Sequence, residues 1–150
     1  KDWLHQWPSY TNTTFKDQVI FDPYASDIDK KKMTDGWFTR QMPDLNQQNP
    51  YVANFLIQHA IWTVEEFGID GWRIDTYAYN DLNFMNRCNK ALMEEYPRIT
   101  MFGETWVHGV PSQSYFVQNN YNIPFKSNLQ ASTDFQTLWG ITDAMTRDFG

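Results

Sequence analysis

The regular part of the chain begins near Asn49, where apolar residues start to recur at helical spacing. These positions are Val52, Phe55, Leu56, Ala60, Ile61, Val64 and Phe67. Asn49 is a favourable N-cap, Pro50 suits the first helical position, and Gly68 is a typical helix stop. The pattern therefore predicts a helix from Pro50 to the Gly68 stop.

Extended and helical patterns then alternate along the chain. The short stretch Ile69–Asp75 predicts a buried strand, residues 82–96 have helical register ended by Pro97, and Ile99–Gly103 is again strand-like. This alternation is typical of the βα units of a parallel sheet. Residues 110–133 are predicted to be rich in loops, and one more helix is predicted over 135–149.

The first 49 residues show no such periodicity. They are polar and are interrupted by Pro8, Pro23, Gly36 and Pro43. A basic run at Lys30–Lys32 is predicted to be a solvated turn rather than a binding patch.

Composition narrows the function classes. A net charge of -6 leaves no basic stripe for phosphates, so nucleic acid is not an expected partner. No apolar run approaches the roughly 18 residues of a membrane span. Cys88 is the single cysteine, which excludes an internal disulfide. Aromatic residues make up 17% of the chain; they fit either a large core or rings that stack on sugars, and composition does not choose between these.

Two carboxylic acids end the two predicted strands. Side chains alternate faces along a strand, so Arg73 and Asp75 share one face, and the arginine charge should lower the pKa of Asp75 and keep it ionised as a nucleophile. Glu104 follows the second strand beside Phe102 and Trp106, where partly apolar surroundings should raise its pKa, as a general acid requires. Such a split is expected of a retaining glycosidase. On spacing alone, Asp75 could instead be a helix N-cap, and Glu104 a surface acid or an ion-pair partner.

The motifs themselves resemble a known family. Gly71–Asp75 resembles the second conserved motif of the α-amylase superfamily (glycoside hydrolase family 13), and Phe102–Trp106 resembles the third. Met42–Asn46 is similar to the auxiliary motif of the same family, in a form typical of its neopullulanase, cyclomaltodextrinase and oligo-1,6-glucosidase branch. The three occur in the family's order and spacing.

This resemblance implies roles for the two acids and their neighbour. Asp75 would be the catalytic nucleophile and Glu104 the general acid/base. Arg73 would brace the nucleophile.

The resemblance also implies candidate substrate contacts. Trp106 matches a position that lines the acceptor side of the cleft, although a core tryptophan is the alternative. His108 would contact sugar or be a plain surface histidine. Tyr77 and Tyr79 would either touch sugar or pack inside.

The implied fold is α/β, part of a (β/α)8 TIM barrel. Residues 47–150 would supply about the fourth to sixth strand regions, and residues 1–46 the tail of the domain that protrudes after the third strand. The family's Asn-His and His-Asp motifs, the latter with a third catalytic carboxylate, are absent. The chain is therefore interpreted as a fragment, inactive alone and able to self-associate through open barrel edges.

The implied activity is hydrolysis, with retention, of α-1,4 and also α-1,6 glucosidic bonds in starch oligosaccharides or cyclodextrins. A transglycosylase and a non-catalytic glucan-binding domain are the alternatives. The expected partner is an α-glucan. No cofactor and no metal are predicted, although the complete enzyme could hold structural calcium. The sequence does not fix the compartment; a periplasmic or secreted location is favoured over a cytoplasmic one.

Overall fold

The computed structural model describes residues 2–147. The helices are α1 (Asp27–Asp35), α2 (Pro50–Phe67), α3 (Leu82–Glu95), α4 (Val110–Tyr115) and α5 (Phe135–Thr146). The strands are β1 (Gly71–Ile74), β2 (Thr100–Gly103) and β3 (Ala131–Ser132), and short 3-10 helices span Asp17–Ile20 and Tyr77–Tyr79. No helix in this part of the chain is both long enough and apolar enough to cross a membrane.

The three strands form one parallel sheet in the order β1-β2-β3. Arg73 lies opposite Phe102, and Gly103 lies opposite Ser132. Because the strands are parallel and in chain order, their carboxyl ends meet at one edge of the sheet. The predicted βα alternation is confirmed.

Helix α2 begins and ends where its sequence predicts. The side chain of Asn49 accepts a hydrogen bond from the amide of Tyr51 at 2.9 Å. Gly68 takes the left-handed conformation with φ 61°, which glycine adopts at no steric cost, and its amide donates to the carbonyl of Val64. Both ends of the helix thus satisfy backbone groups that would otherwise lack partners.

The core lies between the helices and one face of the sheet. Helix α2 packs on α3, and Val64, Leu92 and Met101 are among the buried residues they share with β2. The other face is open: the side chain of Arg73 is half exposed. The prediction of a buried strand at 69–75 is therefore wrong for one of its faces, because the described helices cover only the side of Trp72 and not that of Arg73.

The N-terminal segment contains a helix that the sequence did not predict. Helix α1 has Ser26 as its N-cap, accepting from the amide of Asp29 at 3.2 Å. The basic run at Lys30–Lys32 lies inside this helix, so its prediction as a turn is wrong. Helical periodicity is weak there because most positions are polar, and burial of Met33 against the core supplies the missing stabilisation.

This segment is joined to the sheet region by specific polar contacts. Within the segment itself, the imidazole Nδ1 of His5 lies 2.5 Å from a carboxylate oxygen of Asp44. The Gln47 amide donates to Asn80 and accepts from the backbone of Asp81, both at 2.7 Å. The two Gln47 contacts place the end of the N-terminal segment beside the turn that follows β1.

Two elements lie in the stretch predicted to be loops. Strand β3 has only two residues, and helix α4 has six. The side chain of Gln130 extends the β3 pairing, since it accepts from the amide of Met101 at 2.6 Å and donates to the carbonyl of Ile99 at 3.2 Å. The helix predicted over 135–149 is present as α5; residues 148 and 149 lie outside the described residues.

Candidate active site

The two acids meet at the carboxyl edge of the sheet, with Arg73 between them. One guanidinium nitrogen lies 3.1 Å from a carboxylate oxygen of Asp75, and the other contacts a carboxylate oxygen of Glu104. Asp75 follows β1 directly and Glu104 follows β2 directly. One arginine therefore orients both carboxylates.

Backbone pairing fixes the spacing of this pair. The amide of Glu104 donates to the carbonyl of Ile74 at 2.8 Å, and the amide of Tyr77 donates to the carbonyl of Glu104 at 2.9 Å. The parallel ladder thus continues one residue past each strand. Because the backbone is fixed on both sides of Asp75, the carboxylates are held by rigid elements rather than by a free loop.

The pKa values of the two acids move in opposite directions. A hydrogen bond with Glu104, and then the charge of Arg73, lower the pKa of Asp75. A hydrogen bond with Asp75, followed by partial burial and the negative charge of Asp75, raises the pKa of Glu104 despite Arg73. The side chain of Asp75 is 70% exposed and that of Glu104 16%.

The predicted split between nucleophile and acid is thus present, but its main cause differs from the prediction. Sequence reasoning assigned the raised pKa of Glu104 to apolar neighbours. In the structure the neighbouring Asp75 carboxylate has the larger effect, since two adjacent carboxyls favour one shared proton.

Trp106 and His108 follow β2 and lie outside the core. Trp106 is 62% exposed and stacks on Phe135, with ring centroids 5.2 Å apart and planes at 11°. His108 stacks on Trp139, with centroids 4.3 Å apart and planes at 20°. The alternative that Trp106 is a core residue is therefore wrong. His108 is exposed, and its ring packs against Trp139.

Tyr77 occupies a different place from the one a sugar contact needs. Its side chain is fully buried, its hydroxyl accepts a hydrogen bond from the amide of Asn89 at 3.0 Å, and burial raises its pKa to about 12. The ring lies directly against Gly103. Tyr77 packs inside because that glycine leaves space for it, so the substrate contact predicted for Tyr77 does not fit this position.

Tyr79 lies on the site side of the same turn, in a cluster of three aromatic rings. The rings of Tyr79, Phe15 and Phe38 meet edge to face, with centroids 5.2 to 5.9 Å apart. Phe38, Tyr79 and Asp75 line one cavity of about 180 Å³. Burial and the negative charges of Asp17 and Glu104 raise the pKa of Tyr79.

Sequence reasoning missed Phe15, Phe38 and Asp17, because they lie in the irregular segment outside any motif. Nothing in their spacing indicates that this segment folds back on the turn after Asp75.

No group of three or more histidine, cysteine or acidic side chains within residues 2–147 is arranged to hold a metal ion. The charge partner of both acids in this site is Arg73.

The family of the chain follows from a match between its sequence and the model of a protein family. Residues 2–137 match the model described as alpha amylase, catalytic domain. This chain belongs to the α-amylase family. The resemblance of its three motifs is therefore confirmed.

Curated relatives agree with this assignment. The chain is 38% identical over 74 residues to an intracellular maltogenic amylase of Bacillus subtilis (strain 168), a match of 49% of this chain and 13% of that protein. It is 30% identical over 113 residues to a cyclomaltodextrinase of Geobacillus thermopakistaniensis, covering 74% of this chain and 16% of the relative. The matched part of this chain thus covers less than a fifth of the length of either relative.

Solved structures show the same fold. The alpha-amylase of Geobacillus thermoleovorans, solved with acarbose, aligns with 95% of this chain and 26% of its own, at a TM-score of 0.65 and 23% identity. An Anoxybacillus alpha-amylase aligns with 77% of this chain and 22% of its own, at a TM-score of 0.58 and 27% identity. The parallel sheet with its helices is part of a TIM barrel of the amylase kind.

Proposed function

We propose that this chain is a section of the catalytic barrel of a retaining α-glucan hydrolase. The observation that carries the proposal is the contact of Arg73 with both Asp75 and Glu104, whose pKa values are shifted in opposite directions. An ionised nucleophile beside a protonated acid is the pair that double displacement needs.

The proposed reaction has two steps. Asp75 attacks the anomeric carbon and forms a glycosyl ester, while Glu104 gives its proton to the departing glycosidic oxygen. Glu104, now ionised, then takes a proton from water, and the resulting hydroxide attacks the anomeric carbon and releases Asp75. Two inversions at one carbon give net retention.

Finer assignments are part of the same proposal. The chain would supply the fourth to sixth strand regions of the barrel in residues 47–150 and the tail of the protruding domain in 1–46. The third carboxylate would come from another part of the complete enzyme. The names of the relatives, maltogenic amylase and cyclomaltodextrinase, support α-1,4-linked oligosaccharides or cyclodextrins as substrates. Cleavage of α-1,6 links and a periplasmic or secreted location are further parts of the proposal, and neither a cofactor nor a metal is proposed for this chain.

The test uses Asp75→Asn and Glu104→Gln in the complete enzyme. Each substitution keeps the size of the side chain and removes its acid chemistry, so we expect maltooligosaccharide hydrolysis to fall by about 10³-fold or more. Asp70→Asn is the matched control, because Asp70 is an exposed acid just before the same strand. Its activity should stay within about 2-fold of the unsubstituted enzyme, as expected of a surface change.

Product analysis decides the mechanism. NMR of the first product should show the α-anomer, and a slow fluorosugar substrate should label the peptide that contains Asp75. A β-anomer as first product, or full activity of Asp75→Asn, would contradict the proposal. Glucan binding without any turnover would instead favour a binding domain, and transfer to added sugar in preference to water would identify a transglycosylase.

A further inference from the structure

The residues that follow Glu104 form a short loop, 105–109, which we call the acceptor-side loop. Its two exposed rings pack against helix α5. Trp106 stacks on Phe135, and His108 stacks on Trp139 four residues later on the same helix. Residues four apart lie on one helix face, so a single face of α5 supports both rings.

One side chain of the same helix fixes the backbone of this loop. The amide nitrogen of Gln136 donates to the carbonyl of Val107 at 2.7 Å, and its amide oxygen accepts from the backbone N–H of Gly109 at 3.0 Å. Val107 is itself fully buried. The loop is therefore anchored inside by Val107, with Gln136 bonded to the backbone on both sides of His108.

Helix α5 is in turn tied to the strand end that carries Glu104. The amide of Thr133 donates to the carbonyl of Gly103 at 3.1 Å, and the hydroxyl of Thr133 accepts from the amide of Thr105 at 3.2 Å. Asp134 then caps α5 by accepting from the amide of Thr137 at 2.9 Å. The positions of Trp106 and His108 relative to Glu104 thus depend on α5.

We infer that Gln136 and Trp139 are positioning residues for the leaving-group and acceptor side of the cleft. The inference rests on the proposed function. A general acid lies on the leaving-group side of the scissile bond, and because Trp106 and His108 follow Glu104 by two and four residues in an anchored loop, we assign both rings to that side. Sugar stacking needs rings held in one orientation, and fixing them before binding lowers the entropic cost of association.

The decisive substitution is Gln136→Met in the complete enzyme. Methionine keeps the length of the side chain but loses both hydrogen bonds to the loop. We expect the ratio of kcat/KM for maltoheptaose to kcat/KM for an aryl α-maltoside to fall about 10-fold, because misplaced positioning groups typically cost that much or more. The aryl leaving group is not a sugar and depends less on these rings. The loss should appear mainly in KM for maltoheptaose.

Two further variants separate the contacts. Gln136→Glu keeps an acceptor for the Gly109 amide and loses the donor to Val107, so its ratio should lie between those of Gln136→Met and the unsubstituted enzyme. Trp139→Phe should keep most of the stack under His108 and therefore most of the kcat/KM ratio. Trp139→Leu removes the stack, so its ratio should fall. Leu138→Ala is the matched control on the same helix, since Leu138 is exposed, and its ratio should not change.

Hydrogen exchange provides a readout independent of activity. In Gln136→Met the backbone amides of the peptide that spans 105–110 should exchange faster, and the exchange rates of the sheet should not change. A freed loop with an unchanged ratio would overturn the inference. Equal loss on both substrates together with a lower Tm would also overturn it, because that result indicates a structural role alone. If the unsubstituted enzyme turns over neither substrate, the proposed function fails first and the inference fails with it.

Discussion

At the scale of single residues, Arg73 lies between the two carboxylates of the candidate active site. Its guanidinium contacts both carboxylates and stabilises the ionised form of each. It therefore adds to the hydrogen bond with Glu104 in lowering the pKa of Asp75, and it limits the rise in the pKa of Glu104 that the Asp75 carboxyl causes. Lysine could keep the charge, but a compact ammonium lacks the planar fork that reaches two acids at once.

Replacing Arg73 by Met should shift the pH dependence of the complete enzyme. Without the positive charge the pKa values of both acids rise. Activity needs Asp75 ionised, so the acidic limb of kcat/KM should move to higher pH; it also needs Glu104 protonated, so the basic limb should move the same way. We also expect kcat to fall by about 10²-fold, since an oriented charge is lost. The measurement is the pH profile of kcat/KM on maltooligosaccharides.

The control is Arg87→Met, which removes an equal charge from an exposed position on α3. Its profile should match that of the unsubstituted enzyme. If both substitutions move the limbs equally, the shift reports net charge and not the contact of Arg73.

Sequence reasoning selected Asp75, Glu104 and Arg73, and the structure brings them together. Strand alternation and the parallel pairing of neighbours predicted that the three residues lie at one edge of the sheet, and the resemblance of their motifs to the α-amylase family implied their roles, because spacing alone left other roles open. Sequence reasoning named Tyr77 as a candidate sugar contact but left packing open as the alternative, because that choice depends on which face of the turn meets Gly103. That glycine is distant from Tyr77 in the sequence and lies beside it only after folding.

At the scale of elements, the fit between the turn after β1 and the end of β2 depends on Gly103. A Cβ at this position would lie 2.7 Å from the ring of Tyr77 and 2.9 Å from the side chain of Leu129. Both neighbours are fully buried, so neither can move freely. The close approach of the two elements therefore requires glycine directly before Glu104.

Gly103→Ala should lower the free energy of unfolding by about 1–3 kcal/mol, the usual cost of overpacking a core. Gly140→Ala is the matched control, because a Cβ there meets nothing within 4 Å and the position is inside helix α5. It should raise stability by about 0.5–1 kcal/mol. Urea denaturation of the complete enzyme measures both. Equal effects of the two substitutions would show that the contact with Tyr77 has no energetic role.

The elements predicted from sequence are those with strong local signals. Helix α2 has a periodic apolar face and both caps, and β1 and β2 are short apolar runs between helices. Helix α1 was missed because its stability comes from burial of Met33 rather than from periodicity. Strand β3 was missed because it has two residues and is extended by the side chain of Gln130.

At the scale of the whole molecule, the sheet has two open edges. Within residues 2–147, β1 and β3 each pair only with β2. Helix α2 also exposes large apolar side chains, including Phe55, Trp62 and Phe67. Unpaired strand edges and exposed apolar surface both favour association.

The isolated 150-residue chain is therefore expected to self-associate. It is also expected to release no reducing sugar from maltooligosaccharides, because its sequence lacks the family's Asn-His and His-Asp motifs, the latter with the third catalytic carboxylate. Sedimentation velocity over a concentration series measures the first property, and a reducing-sugar assay measures the second. The complete enzyme at equal concentration is the control. A monomer at all concentrations would contradict the expected association, and activity that Asp75→Asn abolishes would contradict the expected inactivity.

The sequence by itself determined the βα alternation, the caps of α2, and the identity of the acid pair with its arginine. The alternation and the caps follow from periodicities and spacings that act over a few residues, whereas the acid pair was identified by the resemblance of its motifs to the α-amylase family. Only the tertiary structure decided that Asp75 is the main cause of the raised pKa of Glu104, that Tyr77 is buried, and that α5 holds Trp106 and His108. Each of these depends on contacts between residues far apart in the chain, and no local pattern specifies such contacts.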